Sequence, residues 1–478
     1  MSTNATSAAR SRIESLLDEN SFVEIGGLVS ARATDFNLAK IDTPSDGVIT
    51  GYGVINDNLV YVYSQDASVL GGSIGEMHAK KIANLYDMAM KMGAPVIGLI
   101  DSCGLRLQEA TDALNGFGEM YLKQTLASGV IPQITAIFGN CGGGLAIVPS
   151  LTDFTFMEGS KAKLFVNSPN AIKENFEAKC DTASAAFQSE ESGIVDFVGT
   201  EAEIFASLRE LVSFLPANNE EEADLIDCDD DLNRASTALA GGYKDAALAF
   251  ADLADNNNFI EVKAAYAKDM VTGFIKLNGA TVGCVGNRSV IYDENGKEAE
   301  KLGEDLTANG CVKAAEFVSF CDAFSIPVLT LTNVSGFAAC KCSEKKIARA
   351  TAKLTYAFAN ATVPKVNVIT GKAFGTPYIV MNSKAIGADV TFAYETTKIG
   401  CMDSNLAAKV MYDGEGADVV AEKAKEYDAL QNSSMSAAKR GYVDYIITPD
   451  ETRKYVIGAF EMLYSKREDR PAKKHGII

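Results

Sequence analysis

The chain has 478 residues, of which 47% are apolar and 22% charged, with a formal net charge of −19 and ten cysteines. That size suits two or three globular domains with sizeable cores, and so acidic a surface excludes a phosphate-backbone partner such as nucleic acid. No apolar run approaches the ~18 residues of a membrane span, the polar stretch from Met1 to Arg12 lacks the apolar core of a secretory signal, and scattered cysteines point to a reducing compartment, the cytoplasm.

In chain order, Ile49 to Tyr63 predicts a hairpin that turns at Asn56-Asp57-Asn58. Gly71-Gly72 precedes a helical run, Met77 to Met90, that carries His78. The run ends in Ala89-Met90-Lys91-Met92, which matches the sequence around a biotinylated lysine. An acceptor lysine sits at a hairpin tip of a small separate domain, so Lys91 at a helix end is not read as one. Val96 to Ile100 predicts a buried strand, Leu107 to Leu126 a helix and Ile134 to Phe138 a second strand. Strand, helix and strand at this spacing predict a parallel sheet with crossover helices.

The second strand runs into Gly142-Gly143-Gly144. Bare backbone there lets a ligand approach closely. If a helix starts at the glycines, its free N–H groups favour a negative oxygen, as an oxyanion hole requires. The alternative is a tight turn that needs glycine for packing alone. The turn is neither a P-loop nor a dinucleotide-binding turn.

The pattern then repeats. Asp18 to Ile25 recurs as Asp255 to Val262, Val48 to Tyr52 as Met270 to Phe274, and Pro95 to Leu99 as Pro327 to Leu331. Pro132 to Gly143 recurs as Pro364 to Gly375, and Gly193 to Phe197 as Gly441 to Tyr445. Five matches in one order predict an internal duplication. The copies are expected at 1–217 and 235–478, joined by a solvated acidic linker, 218–234. The second copy places Gly375-Thr376-Pro377 at the end of the matching strand.

Other chemistry is scarce. The two histidines, His78 and His475, leave no room for a Ser-His-Asp triad or a histidine metal site, and Cys340-Lys341-Cys342 lacks a partner pair, so no metal is expected.

These residues resemble the carboxyltransferase subunits of biotin-dependent acyl-CoA carboxylases and decarboxylases, over nearly the whole chain. The resemblance rests on Gly51-Tyr52-Gly53, Ser64-Gln65-Asp66, Gly71-Gly72-Ser73, the Asp101 to Glu109 segment, the Gly139 turn with Leu151-Thr152-Asp153-Phe154, Phe320 to Phe324, Val363 to Val366 and Gly371 to Gly375. It implies an α/β fold of two tandem crotonase-like (ClpP/crotonase) domains, the first for acyl-CoA and the second for biotin. It further implies a hexamer, biotin delivered on a separate carboxyl carrier protein, and partner biotin carboxylase or membrane decarboxylase subunits. Gly143 and Gly144 match the hole for the acyl-CoA enolate oxygen, and Gly375 and Thr376 its counterpart for the biotin ureido oxygen. Gly71, Gly72, Gly104, Leu105, Arg106 and Gly142 match substrate-binding positions of the first half. Gly336, Phe337, Phe374 and Ile379 match those of the second.

The chain departs from the family pattern at Cys103 and Leu105, at Ser335 before Gly336-Phe337, in the short Ala338 to Ala348 stretch, and at Pro377, which has no N–H where a donor is often assigned. These changes fall more heavily on biotin binding. The rival readings are a non-catalytic assembly subunit, and a biotin-independent crotonase-type enzyme with Glu109 as its acid/base.

Overall fold

The computed structural model describes residues 7–32, 41–178, 180–223, 225–242, 244–293, 295–471 and 475–476. The start of the polar N-terminal stretch, residues 1–6, lies outside them. The chain divides into two compact units, 1–224 and 225–478.

The first unit opens with helix α1 (Ala8–Leu16), strand β1 (Val23–Ile25) and the hairpin β2 (Val48–Ile55) and β3 (Asn58–Gln65). The hairpin turns on Asn56 and Asp57, both at positive φ (49° and 68°), the geometry a two-residue primed turn needs. Helix α2 (Glu76–Met92), strand β4 (Val96–Ser102), helix α3 (Ala110–Ala127) and strand β5 (Gln133–Gly142) follow. Then come helix α4 (Ile147–Leu151), strands β6 (Phe154–Glu158), β7 (Lys163–Phe165) and β8 (Phe197–Gly199), and helix α5 (Glu201–Phe214).

The second unit runs α6 (Ala246–Leu253), β9 (Phe259–Val262), β10 (Met270–Leu277), β11 (Ala280–Asn287), α7 (Ala308–Ala323), β12 (Val328–Val334) and α8 (Ile347–Asn360). It closes with β13 (Lys365–Phe374), α9 (Gly375–Val380), β14 (Val390–Tyr394), β15 (Lys398–Gly400), β16 (Tyr445–Ile447) and α10 (Thr452–Leu463).

The first sheet has the order β1-β2-β3-β4-β5-β6-β8, with β7 on the end of β5. The second has β9-β10-β11-β12-β13-β14-β16, with β15 on the end of β13. In each, the first three strands are antiparallel and the rest parallel. Register slips at one equivalent place in both, between Ile100 and Ser102 and between Thr332 and Val334. The slip bends the last residues of β5 and β13 onto β7 and β15.

Side chains repeat with the backbone. Arg209 donates to the Leu16 carbonyl and Asp18, and Arg453 to the Leu253 carbonyl and Asp255. Asp153 accepts from the Gln133 amide and Asp389 from the Lys365 amide, both at 2.8 Å. Gly51 and Gly273 leave room for a neighbouring phenylalanine ring, since an added Cβ would lie 2.6 Å from Phe22 or Phe259.

Neighbouring residues of β5 face opposite ways. Ile137 joins a core with Tyr86 of α2 and Phe117 of α3. Phe138 packs at a tilt against Phe205 of α5, ring centroids 5.3 Å apart. Each sheet is therefore covered on both sides, and its strands read as continuous apolar runs. Lys91 sits in the last turn of α2 and tips no hairpin.

The acidic run is anchored at both ends, while its described acidic side chains other than Asp230 are exposed. Asn218 is buried, donating to the Gly93 carbonyl and accepting from the Glu220 and Glu221 amides. Asp230 pairs with Arg234 at 3.0 Å and with Arg453 at 3.5 Å. Among the described residues no helix is long and apolar enough to cross a membrane.

Candidate active site

In each unit the central strand ends on a glycine that starts a helix. Gly143 and Gly375 both hold φ +65°, a conformation L side chains rarely adopt. Gly143, Gly144 and Leu145 open a 3-10 turn that leads into α4, and Gly375, Thr376 and Pro377 open α9. The first N–H groups of a helix have no intrahelical acceptor, so both turns present bare donors. An added Cβ at Gly143 would meet nothing within 4 Å, so its face is open.

Around Gly143 the first unit gathers most of the residues its sequence singled out. Gly72 must be glycine because a Cβ there would lie 2.4 Å from the Asp101 carbonyl. Gly71 and Gly104 hold positive φ, and an added Cβ would press on Cys103 Sγ at 3.0 Å or the Gly142 carbonyl at 3.1 Å. Gly142 lies on the Phe165 ring of β7. The Gly71 and Gly104 loops are laced together: Cys103 donates to the Gly71 carbonyl, Ile74 to Gly104 and Arg106 to Ile74, and Leu105 bridges to Ile74. Tyr121 of α3 donates its hydroxyl to the Gly144 carbonyl at 2.6 Å, which fixes the orientation of that peptide.

Arg106 plays another part than the direct substrate contact expected of it. Its side chain is wholly buried and has no surface to offer a ligand. Nη1 donates to Asp46 at 2.6 Å and to Glu109 at 2.8 Å, while Nε and Nη2 hold the Ser73 hydroxyl and carbonyl. Glu109 also accepts from the Glu76 amide, and Asp46 from the His78 amide. Glu109 is therefore engaged on both oxygens and is not free as an acid/base.

His78 closes the network. Nδ1 donates to the Asp46 carbonyl at 2.9 Å and Nε2 accepts from Gln65 Nε2 at 3.2 Å, the pattern of a neutral imidazole. Burial, aided by the Arg106 and Lys81 charges, pushes its pKa down to about 3. Burial also raises the Asp46 carboxyl despite Arg106.

In the second unit Phe374 is buried, Ile379 half-buried, and the short Gly336–Phe337 strand pairs with Asp305–Leu306. Pro377 is the third residue of α9, where its missing N–H costs the helix nothing. Two donors, Gly375 and Thr376, remain, enough for one acceptor oxygen such as that of a urea. Cys340 and Cys342 are exposed, and hydrogen bonds from the Cys342 thiol and the Ser343 amide draw the Cys340 thiol below its ordinary range. Among the described residues no three metal-ligating side chains converge.

Sequence reasoning missed Asp46, Ser73, His78 and Tyr121 as supports of the first turn. Their partners are 13 to 60 residues away, and no local spacing announces them.

Two matched sheets, each ending in a glycine-started helix, define a duplicated crotonase-like fold. The carboxyl transferase domain model matches residues 3–478. The chain is 40% identical over 489 residues to the methylmalonyl-CoA decarboxylase subunit alpha of Propionigenium modestum, covering 98% of this chain and 92% of that protein. It is also 40% identical over 485 residues to the propionyl-CoA carboxylase beta chain of Roseobacter denitrificans, covering 98% and 93%. Its structure resembles the transcarboxylase 12S hexamer solved with methylmalonyl-coenzyme A bound, with a TM-score of 0.91, 37% identity, and 98% and 92% of the two chains covered. The chain belongs to the carboxyl transferase family and is a carboxyltransferase of the biotin-dependent acyl-CoA carboxylase and decarboxylase type.

Proposed function

We propose that the chain moves a carboxyl group between carrier-bound biotin and a short-chain acyl-CoA, acetyl- or propionyl-CoA, or in reverse from malonyl- or methylmalonyl-CoA. The observation that carries this reading is the pair of matched glycine turns, each with unpaired backbone donors at φ +65°. Carboxyl transfer develops an enolate oxygen on one reactant and negative charge on the urea oxygen of the other, and two turns answer two anions.

In this reading Gly143 and Gly144 hold the enolate oxygen, and the hydroxyl of Tyr121 locks the peptide that follows. Each aimed donor is worth about 3–4 kcal/mol in the transition state. Gly71, Gly72, Gly104, Leu105 and Gly142 form the wall along which the CoA thioester lies, and Arg106 braces that wall from behind. Gly375 and Thr376 hold the urea oxygen, with Gly336, Phe337, Phe374 and Ile379 beside them. Biotin, when bound, supplies the carboxyl group in activated form. No side-chain nucleophile takes part, and the enclosed Glu109 argues against a hydratase.

The protein acts as a hexamer with a biotin carboxyl carrier protein and either biotin carboxylase or membrane decarboxylase subunits. Its place is the cytoplasm, consistent with ten unpaired thiols. The test is release of carbon dioxide from malonyl- or methylmalonyl-CoA on adding free biotin to the purified chain. Biotin-dependent release is expected, and none from any short carboxyacyl-CoA would overturn the reading.

A further inference from the structure

The duplication allows one place to be compared atom for atom in the two units. The paired arginines at Asp18 and Asp255 align α1 with α6, so that Arg12 corresponds to Ala249. The matched strand ends align Asp101 with Asn333 and Phe138 with Thr370. The Thr200 and Thr448 hydroxyl contacts, to Glu203 and Glu451, align Glu201 with Pro449.

In the first unit this place is plugged. Arg12 reaches over the carboxyl ends of the strands, donating to Asp101 at 3.0 Å and Glu201 at 3.2 Å with its guanidinium 4.8 Å above the Phe138 ring. In the second unit all four members of that plug are gone. Ala249, Asn333, Thr370 and Pro449 instead line an open cleft of about 530 Å³. It lies outside the carboxyl ends of β11 to β14, where open α/β sheets take their ligands.

The cleft has a floor and a rim. Leu239, Ala246, Ala249 and Leu331 make the floor apolar, and Lys244, Lys372 and Lys398 stand at the rim. Lys372 and Lys244 share the single Glu304 carboxylate, at 2.8 and 3.7 Å. Lys398 pairs with Asp428, and Asp245 with Arg288. Arg288 also holds Glu261 at 3.2 Å, so these groups balance, and the rim's attraction for an anion comes from Lys244 and Lys372, two ammonium groups on one carboxylate.

We propose that this cleft is a binding pocket for a small organic carboxylate, its apolar body on the floor and its carboxylate among the rim lysines. It is separate from the glycine turn of the same unit. The inference does not depend on the proposed reaction.

The test is titration of the full chain with propionate, propionamide and inorganic phosphate, followed by calorimetry. Propionate should bind with a dissociation constant of about 1 mM or below. Ala249→Arg, which rebuilds the plug, should abolish that binding while melting at the wild-type temperature. Should Ala249→Arg fail to fold, Lys244→Gln combined with Lys398→Gln should weaken binding about tenfold. Propionate binding that persists in folded Ala249→Arg overturns the proposal, as does equal binding of propionamide. Binding of phosphate alone overturns the carboxylate class, and no saturable binding of any probe overturns the pocket.

Discussion

The two units share a backbone and differ in where they put charge. Beneath the first glycine turn lies a sealed network of Arg106, Asp46, Glu109 and His78. The corresponding positions in the second unit, counted from the matched strands, are Ala338 for Arg106 and Gly310 for His78. There the loop after β12 is held instead by Glu304, which joins Lys372 and the Ser335 hydroxyl at a half-open surface. A duplicated fold thus keeps its donors at the strand ends and varies the supports around them. The first unit is rigidly braced; the second is open, with one donor fewer.

Removing the brace should break the comparison most strongly. Arg106→Met leaves Asp46 and Glu109 buried without the guanidinium that faces both, at a cost of about 3–5 kcal/mol. Denaturant unfolding should show the first unit alone losing that stability.

Next comes the first glycine turn. Gly144 is the second residue of its turn and has no intrahelical acceptor, so Gly144→Pro deletes one donor, with a Cβ 3.1 Å from the Tyr121 hydroxyl as its steric cost. Turnover should fall by about 10²–10³-fold. A loss under tenfold would mean that the first turn is a packing feature.

Acid should separate the units as well. The folded pKa of His78 lies at about 3 against an ordinary 6.5. The unfolded chain therefore takes up a proton that the native one refuses, and stability present above pH 6.5 is lost as pH falls. By pH 4.5 the first unit should have lost ~3 kcal/mol, and His78→Gln should flatten that slope in calorimetric scans.

The smallest effect is a gain. Pro377→Ala restores an N–H at the third position of α9. If the second turn serves biotin, turnover with subsaturating biotin should rise a fewfold, up to about tenfold.

Much of this was legible in the sequence. The duplication, the glycine turns and the hairpin followed from local pattern, because glycine at positive φ and apolar strand runs leave marks within a few residues. The role of Arg106 did not. A motif places the arginine beside the substrate, and only the fold shows Asp46, far away in sequence, turning it inward. The plug at Arg12 was equally hidden, since its partners Asp101 and Glu201 lie 89 and 189 residues along the chain. The anchors of the acidic run, Asn218 on the Gly93 carbonyl and Asp230 on Arg453, were hidden for the same reason.

The central claim is that the two turns serve different reactants. The measurement that tests it most directly is the pair of Michaelis constants, for acyl-CoA and for free biotin, in Thr376→Pro beside the wild-type chain. The account predicts that removing this second-unit donor raises the biotin constant or lowers biotin-dependent turnover while the acyl-CoA constant stays put. An equal rise in both constants, or a rise for acyl-CoA alone, would contradict it.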